Sequence, residues 1–398
     1  MQEAAANLMP LTILLAVKGR HLHTLRFLWY ANKCRLPYHF LVADGAVSST
    51  MANLLENSGS LFPHLNIEYV RYPDDVDYQA YFRKLADAAS RVRTPYVMQV
   101  DNDDFLVQSG VSRCITFLAE HSEFVGISGG IGSVSLRPNR RGVLHDVVGL
   151  VEGVTFPYGH HYFPRKFESP SVAERIATDF HGTYALYYCV FRSEAFKTVS
   201  NEIVELNMSD LQLYETYLGV RAKSLGKSRI DPSTISYIRQ AGTSTSARKY
   251  HQDWVNHLVH SRFTSDLDSM VGYISRFVAE QDGVREDVYA ENFRQLYADK
   301  LQAQLRSSLN VSPYRSRRHP SRIAKAIVSR TVRRVRQSDM VRRAIVRRDV
   351  EALSKQLISF GSTKQYATAV VRELEEIFDV LQRDDLSEFV AKQAPDLL

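Results

Sequence analysis

The sequence predicts an α/β fold, with a mainly parallel sheet flanked by helices and an all-helical C-terminal region. Through the first 130 residues, buried-strand patterns alternate with helical periodicity, which is typical of strands joined by crossover helices. Beyond about residue 265 the periodicity is helical only. The length of 398 residues also favours two domains over one. We therefore expect one domain over 1–265 and a helical region over 266–398.

Four strands are predicted in the first hundred residues, and each ends at a polar loop. Helical patterns at 21–34 and 77–92 lie among them. In an open α/β sheet, the loops at the carboxyl ends of the strands form the ligand site. The predicted strands are the apolar runs 11–20, 37–46, 66–73 and 94–100.

The net charge of +6 is concentrated in one C-terminal segment. Residues 315–348 contain thirteen Lys or Arg against one acid, Asp339, for a net charge of +12. The rest of the chain therefore carries about −6. The basic character predicts an anionic partner for this segment only and says nothing about the N-terminal part.

Cysteine usage and hydropathy exclude several classes of protein. Cys34, Cys114 and Cys189 are widely spaced and form no C-x-x-C pair, which argues against a disulfide framework or a thiolate metal site. No run approaches the roughly 18 apolar residues of a membrane span. The first ten residues lack the basic start and long apolar stretch of a signal peptide. We expect a cytoplasmic location.

The strongest local signal is the run Asp101-Asn102-Asp103-Asp104, directly after the fourth predicted strand. Three carboxylates crowded at a strand end repel one another unless a cation lies between them. Oxygen ligands favour Mg²⁺ or Mn²⁺, which keep positions open for diphosphate oxygens. The run therefore predicts a divalent metal site, and the alternative is a solvated acidic loop.

In this context, residues 11 to about 250 resemble the GT-A glycosyltransferases, which have a Rossmann-like fold. The resemblance is strongest to the inverting bacterial synthases and surface-polysaccharide transferases. The turn after LLAVKGR matches the family's first strand end, Asp44 in VADGA matches its nucleobase-holding acid, and VDNDD matches its D-x-D motif. The resemblance implies a nucleotide-sugar donor and a Mn or Mg ion. Asp103 would bind the metal, and Asp101 would contact the metal or the donor ribose.

A second matching feature lies in the predicted helix at 209–227, which is capped by Ser209 or Asp210 and stops at Gly226. Inverting members carry an acidic pair near the start of this helix, followed about eleven residues later by a glycine and a strand. The step from Glu215 to Gly226 is eleven residues. The resemblance makes Glu215 the candidate base that takes the proton from an acceptor hydroxyl. Asp210 is the alternative base, and Tyr214-Glu215 departs from the family's usual Glu-Asp pair.

The family often closes the donor site with a basic or histidine-bearing segment after that helix, and 236–252 stands at this place. A cation near the diphosphate stabilises the leaving nucleotide as negative charge develops. His251 is a candidate further metal ligand. The candidate donor-binding residues are Arg239, Arg248 and Lys249, together with Lys18 and Arg20 just past the first strand.

Acceptor contacts are expected in the segment FHGTYALYY, at 180–188, where the family places them. His181 and Thr183 are the candidate acceptor-binding residues. The resemblance implies a glycan or a lipid-linked acceptor in surface-polysaccharide biosynthesis. The aromatic stretch 156–171 is expected to form a loop over the site.

The basic segment at 315–350 has two interpretations. On a helical projection of 322–336, apolar residues share one half and cations occupy the other. Such a helix can lie on an anionic membrane surface, or it can pack its apolar half against the catalytic domain or a second subunit of a homo-oligomer. The segment lacks aromatic residues for base stacking, which disfavours nucleic acid.

Two other functions compete with the glycosyltransferase interpretation. One is a non-catalytic membrane-surface or phosphate-binding protein that uses the arginine-rich segment. The other is a sugar-nucleotide pyrophosphorylase, a class with a glycine-rich loop after the first strand, which AVKGRHLH lacks.

Overall fold

The computed structural model describes most of the chain. The described residues are 9–56, 58–138, 147–156, 165–178, 180, 186–241, 258, 261–308, 339–382 and 385–393. They form one curled sheet with helices around it, which confirms the predicted α/β class.

Ten strands of the described residues belong to the sheet. They are β1 (Leu11–Val17), β2 (His39–Asp44), β3 (Asn66–Arg71), β4 (Tyr96–Gln99), β5 (Phe105–Leu106), β6 (Phe124–Pro138), β7 (Gly149–Thr155), β8 (Arg165–Phe167), β9 (Val190–Arg192) and β10 (Lys227–Ala241). The order across the sheet is β3-β2-β1-β4-β9-β6-β10-β5, with β7 paired to β6 and β8 paired to β10.

In the described part of the chain, eight helices precede the C-terminal region. They are α1 (His21–Lys33), α2 (Thr50–Leu55), α3 (Ser58–Leu61), α4 (Tyr78–Arg91), α5 (Gln108–Glu120), α6 (Val172–Ala177), α7 (Ser193–Glu205) and α8 (Leu211–Leu225). The helices predicted at 21–34, 77–92 and 209–227 correspond to α1, α4 and α8.

The N-terminal part of the sheet is parallel, as predicted. Strand β1 pairs in parallel with β2 and with β4, and β2 pairs in parallel with β3. Five consecutive β1 positions, Leu11 to Leu15, are fully buried, because helices cover both faces of such a sheet. The second half is mixed, since β6 and β10 are parallel while β5, β7, β8 and β9 join antiparallel.

The described residues from 261 onward are helical, as predicted. They form α9 (Phe263–Asp282), α10 (Glu286–Ser308), α11 (Asp339–Ser359), α12 (Lys364–Gln382) and α13 (Asp385–Gln393). Helices α9 and α10 pack together, and α9 also packs on α6 and α8. Helices α11 and α12 cover β7, and α12 reaches α5. In the part of the chain that is described, no helix has the length and apolarity needed to cross a bilayer.

Specific contacts dock the last helices on the sheet domain. The Glu373 carboxylate of α12 accepts a hydrogen bond from the backbone N–H of Ser109 at 3.1 Å, at the start of α5, where a helix dipole favours an anion. Lys33 of α1 and Asp379 of α12 form an ion pair at 2.7 Å. The rings of Phe62 and Phe389 lie 5.8 Å apart. The C-terminal helices therefore share one continuous hydrophobic core with the sheet.

Candidate active site

The candidate site lies at the carboxyl ends of β1, β2 and β4. The register pairs Val17 with Asp44, so the turn after β1 and the end of β2 are neighbours. Gly19 and Arg20 in that turn both have left-handed backbones, with φ of 67° and 54°. Glycine adopts this conformation freely, and the reversal starts α1 immediately after the strand. The predicted donor-site residues Lys18, Arg20 and Asp44 therefore lie at one edge of the sheet.

Asp44 is fully buried at the end of β2. Its carboxylate accepts hydrogen bonds from the Tyr69 hydroxyl and the Ala46 backbone N–H, both at 2.9 Å. These contacts fix the orientation of the carboxylate. The next residue, Gly45, has no room for a side chain, since a Cβ there would lie 2.0 Å from Oδ2 of Asp75.

Behind this strand end lies a buried ion pair that sequence reasoning missed. Lys84 of α4 donates to Asp75 at 2.5 Å and to the backbone oxygen of Val17 at 2.9 Å. Lys84 and Asp75 are both almost fully buried. Lys18 lies 3.9 Å from the same carboxylate and also donates to the Asp75 backbone oxygen. The predicted donor contact Lys18 is therefore held at Asp75, next to Gly45.

The acidic run forms a compact cluster after β4. Carboxylate oxygens of Asp101, Asp103 and Asp104 lie within 4.8 Å of one another. Asp103 and Asp104 are buried, and Asp101 is half-buried. The cluster was predicted with Asp101 and Asp103 as ligands. Asp104, which stands in the same run, was not among the predicted ligands, and its carboxylate lies in the same cluster.

Among the described residues, three guanidinium groups surround this acidic cluster. Arg20 donates to Oδ2 of Asp103 at 3.0 Å, and Arg239 of β10 lies 3.8 Å from Oδ2 of Asp104. Arg26, fully buried in α1, donates to the backbone oxygen of Asp103 at 2.7 Å. Arg239 and Arg20 were predicted near the donor. Arg26 was missed, because a single arginine inside an amphipathic helix carries no signal of its own.

The pKa values of the three carboxyls show how strongly they interact. Burial and the charge of Asp103 raise the pKa of Asp101 to about 6. Burial, with the charge of Asp103, also raises the pKa of Asp104 well above its usual range. Burial alone would raise the pKa of Asp103, but Arg20 holds it below its ordinary value. Nearby arginines therefore compensate the cluster unequally, most strongly at Asp103.

The donor set fits a hard divalent cation. Among the described residues it consists of carboxylate oxygens only, which suit Mg²⁺ or Mn²⁺. Oδ2 of Asp104 is buried and accepts no hydrogen bond from the described residues. A buried anionic oxygen without a donor is costly, and a metal ion between the carboxylates would satisfy it.

A tyrosine network supports the strand end below Asp101. The Gln99 side chain donates to the Tyr81 and Tyr187 hydroxyls at 3.1 and 2.6 Å. It accepts from the Tyr214 hydroxyl of α8 at 2.9 Å. The Tyr188 hydroxyl donates to Oδ2 of Asp101 at 3.4 Å. Because Tyr214 belongs to α8, this network fixes the first turn of α8 against the end of β4.

Glu215 follows Tyr214 and is partly buried. Burial and the charge of Asp101 raise the pKa of Glu215 to about 7, with Arg239 and Lys300 opposing the rise. The charge of Asp101 in the acidic cluster therefore acts on Glu215. A carboxylate with a pKa near neutrality is suited to accept a proton.

Asp210, the alternative base, caps α8. Its carboxylate accepts from the backbone N–H groups of Gln212 and Leu213 at 2.7 and 2.9 Å. The predicted helix cap is therefore Asp210 rather than Ser209, whose hydroxyl donates to Asp266 at 2.7 Å. A carboxylate held by two backbone donors is less available to accept a proton from a substrate.

Lys300 of α10 was missed, because it belongs to the helical region in which no site was expected. It is 1% exposed and donates to the Thr216 hydroxyl at 2.6 Å, next to Glu215 in the chain. Burial lowers the pKa of Lys300 to about 7 despite the opposing charge of Glu215. The C-terminal helices therefore contribute a charged group beside the candidate base.

Among known proteins, those found to be similar to this chain are solved structures. The sequence matches no family model, and it matches no curated protein. The chain is similar to S. aureus TarS 1-349, with a TM-score of 0.47 and 13% identity, over 94% of this chain and 90% of that chain.

Two ligand complexes of the same TarS fragment are also similar. The complex with UDP has a TM-score of 0.44 and 11% identity, over 94% of this chain and 89% of that chain. The complex with UDP-GlcNAc has a TM-score of 0.41 and 11% identity, over the same shares of 94% and 89%.

Several predicted positions lie outside the described residues. They are the acceptor candidates His181 and Thr183, the donor candidates Arg248 and Lys249, and the metal candidate His251. The same is true of residues 157–164 in the predicted loop at 156–171, whereas 165–167 form β8. In the basic segment at 315–350, the structure describes only 339–350, at the start of α11.

Proposed function

We propose that this chain is a metal-dependent glycosyltransferase that moves a sugar from a nucleotide-sugar donor to an acceptor hydroxyl. One observation carries the proposal: the carboxylates of Asp101, Asp103 and Asp104 converge at the sheet edge that also holds Asp44. Glu215 joins them through α8, in electrostatic contact with Asp101. The edge thus combines groups suited to a nucleotide, a divalent ion and a proton.

The donor would lie along the ends of β1, β2 and β4. The buried Asp44 carboxylate, oriented by Tyr69 and Ala46, would hold the nucleobase. Asp101, Asp103 and Asp104 would hold Mn²⁺ or Mg²⁺, which when bound neutralises charge on the diphosphate. Arg239 and Arg20 lie at the same cluster, where cations stabilise the departing nucleotide.

Glu215 would act as the base. Its carboxylate accepts the proton of the acceptor hydroxyl while that oxygen forms a bond to the anomeric carbon. The bond from that carbon to the nucleoside diphosphate breaks, and the bond electrons leave with the phosphate oxygen. Direct attack of this kind inverts the anomeric configuration, which NMR of the product determines.

UDP and UDP-GlcNAc, which the TarS complexes contain, are the first donors to test. We propose a screen of nucleotide-sugars for thermal stabilisation, with Mn²⁺ and with EDTA. A nucleotide-sugar that stabilises the protein only with Mn²⁺ supports the proposal. A phosphate-binding protein without donor specificity would respond equally to inorganic phosphate and to every nucleotide.

The acceptor would be a glycan or a lipid-linked molecule of surface-polysaccharide biosynthesis, and the basic segment at 315–350 would bring the enzyme to an anionic membrane surface. Arg347 and Arg348, at the described end of this segment, have side chains that are 83% and 76% exposed. Each cation near such a surface contributes about 1 kcal/mol. The alternative is a purely solvated face, since Arg347 pairs with Glu351 and Arg348 with Asp349.

A further inference from the structure

The three arginines around the acidic cluster are held very differently. Arg26 is fully buried and donates to the Val147 and Asp103 backbone oxygens, each at 2.7 Å, and to the Gln240 side chain. It is a fixed part of the core. The Arg20 side chain is 23% exposed, and its one side-chain hydrogen bond to a described residue goes to Asp103.

Arg20 reaches Asp103 from a constrained backbone. Its φ of 54° and ψ of 41° are left-handed, and its backbone oxygen accepts from the N–H groups of His23 and Thr24 at 2.9 and 3.3 Å. The Asn102 side chain also donates to that oxygen at 3.4 Å. The main chain of Arg20 is therefore anchored, while its side chain is partly exposed to solvent.

The carboxylate that Arg20 contacts is also a proposed metal ligand. Asp103 offers one carboxylate oxygen to the cluster, and Arg20 already holds Oδ2 of that carboxylate. A guanidinium and a metal ion compete for one carboxylate. Like charges close to each other also repel. Arg20 therefore opposes the ion by holding the Asp103 carboxylate and by its positive charge.

We propose that Arg20 is a built-in substitute for the metal ion, which holds Asp103 in the free protein and must release it before the ion binds. This inference rests on the proposed metal site. It follows that Arg20 lowers the affinity of the cluster for a free divalent ion. The cluster then stays compensated and ordered while no ion is bound.

The test is the affinity for Mn²⁺ alone, measured by electron paramagnetic resonance of the unbound ion, so that no turnover is needed. Arg20→Ala is expected to bind Mn²⁺ about tenfold more tightly than the wild type, as loss of one charge-assisted hydrogen bond implies. Arg20→Lys keeps the charge without the planar fork and should lie between them. Circular dichroism checks that both variants are folded.

Arg285→Ala is the matched control. It removes one arginine whose side chain is 77% exposed and pairs with Asp287, away from the cluster, and its Mn²⁺ affinity should equal that of the wild type. Equal or weaker Mn²⁺ binding by folded Arg20→Ala overturns the inference, while wild-type binding that Asp103→Asn abolishes leaves the metal site standing. If neither the wild type nor Arg20→Ala binds Mn²⁺, the metal site and the inference both fail.

Discussion

Charge compensation decides the behaviour of the acidic cluster at the scale of single residues. Arg20 stabilises the charged form of Asp103, so that the pKa of this carboxyl lies below its ordinary value. Asp104 has a buried oxygen without a hydrogen-bond donor among the described residues, and its pKa is raised instead. The protein therefore compensates Asp103 with Arg20 and leaves Asp104 incompletely compensated.

Glu215→Gln should reduce turnover by roughly 10² to 10⁴ with donor binding retained, because the amide cannot accept the proton. Since the pKa of Glu215 is about 7 and a base works when deprotonated, wild-type turnover should fall as pH falls through about 7. Steady-state rates between pH 5 and 9 measure both effects. Asp210→Asn is the comparison. If Asp210→Asn abolishes turnover and Glu215→Gln leaves it unchanged, Asp210 is the base instead of Glu215.

Lys300→Met should raise the pH at which turnover is half-maximal on the acid side. The Lys300 charge lowers the pKa of Glu215, so its removal makes Glu215 harder to deprotonate. A shift of about half a unit to one unit is expected, and pH–rate profiles measure it. A lower rate with an unshifted profile would mean that Lys300 acts only through packing beside Thr216.

At the scale of elements, α8 is the part on which the site most depends, and a buried polar network anchors it. Glu202 of α7 accepts from Arg221 at 2.8 and 2.9 Å and from the hydroxyls of Tyr217 and Tyr273, both at 2.8 Å. Arg221 and Tyr217 belong to α8, and Tyr273 belongs to α9. One carboxylate thus joins three helices behind Glu215.

Glu202→Ala should lower the free energy of unfolding by about 3 to 5 kcal/mol, because it leaves the Arg221 charge buried without its partner. The matched control on the same helix is Glu194→Ala, which removes an exposed partner of Lys197 and should cost about 0.5 kcal/mol or less. Urea unfolding measures both. Similar costs for the two variants would show that the network does not stabilise α8.

Local pattern predicted the elements with the strongest periodicity. Strands β1 to β4 and helices α1, α4 and α8 all have strong periodicity and clear stops, so their positions follow from the sequence. The antiparallel additions β7 and β8 were not predicted, because their short runs are stabilised by pairing with β6 and β10. Pairing between distant segments leaves little trace in local sequence.

The candidate site was predictable to the extent that it follows strand ends. Asp44 ends β2, Asp101 and Asp103 follow β4, and the parallel topology places them at one edge of the sheet. Arg26, Lys84 and Lys300 enter from helices, and each is defined by a long-range contact with the site. Nothing in their local sequence distinguishes them from solvated cations.

At the scale of the whole molecule, the helical region predicted over 266–398 is not peripheral to the sheet. Helix α10 provides Lys300 beside Glu215, while α11 and α12 cover β7. A cavity of about 550 Å³ lies among these elements, lined in part by Val151, Val350 and Phe378. The predicted domain boundary at residue 265 stays a prediction. If residues 1–265 folded alone, the hydrophobic surface that now packs against the C-terminal helices would be exposed.

The basic segment should cause salt-sensitive binding to anionic vesicles. Residues 339–350 belong to α11. The variant for this test therefore leaves them unchanged and replaces only the nine Lys and Arg between 315 and 336 by Gln. Sedimentation with anionic and with neutral vesicles is the measurement. Binding that requires anionic lipid and is lost in the variant supports membrane attachment, and equal recovery in the supernatant with either lipid contradicts it.

The most direct test of the central claim is the rate at which the protein releases nucleotide from the donor found in the screen. Wild type and Asp103→Asn are compared with Mn²⁺ and with EDTA. The expected result is release by the wild type with Mn²⁺ and a loss of about a hundredfold or more in EDTA or in folded Asp103→Asn. Undiminished release by Asp103→Asn without added metal would contradict the claim.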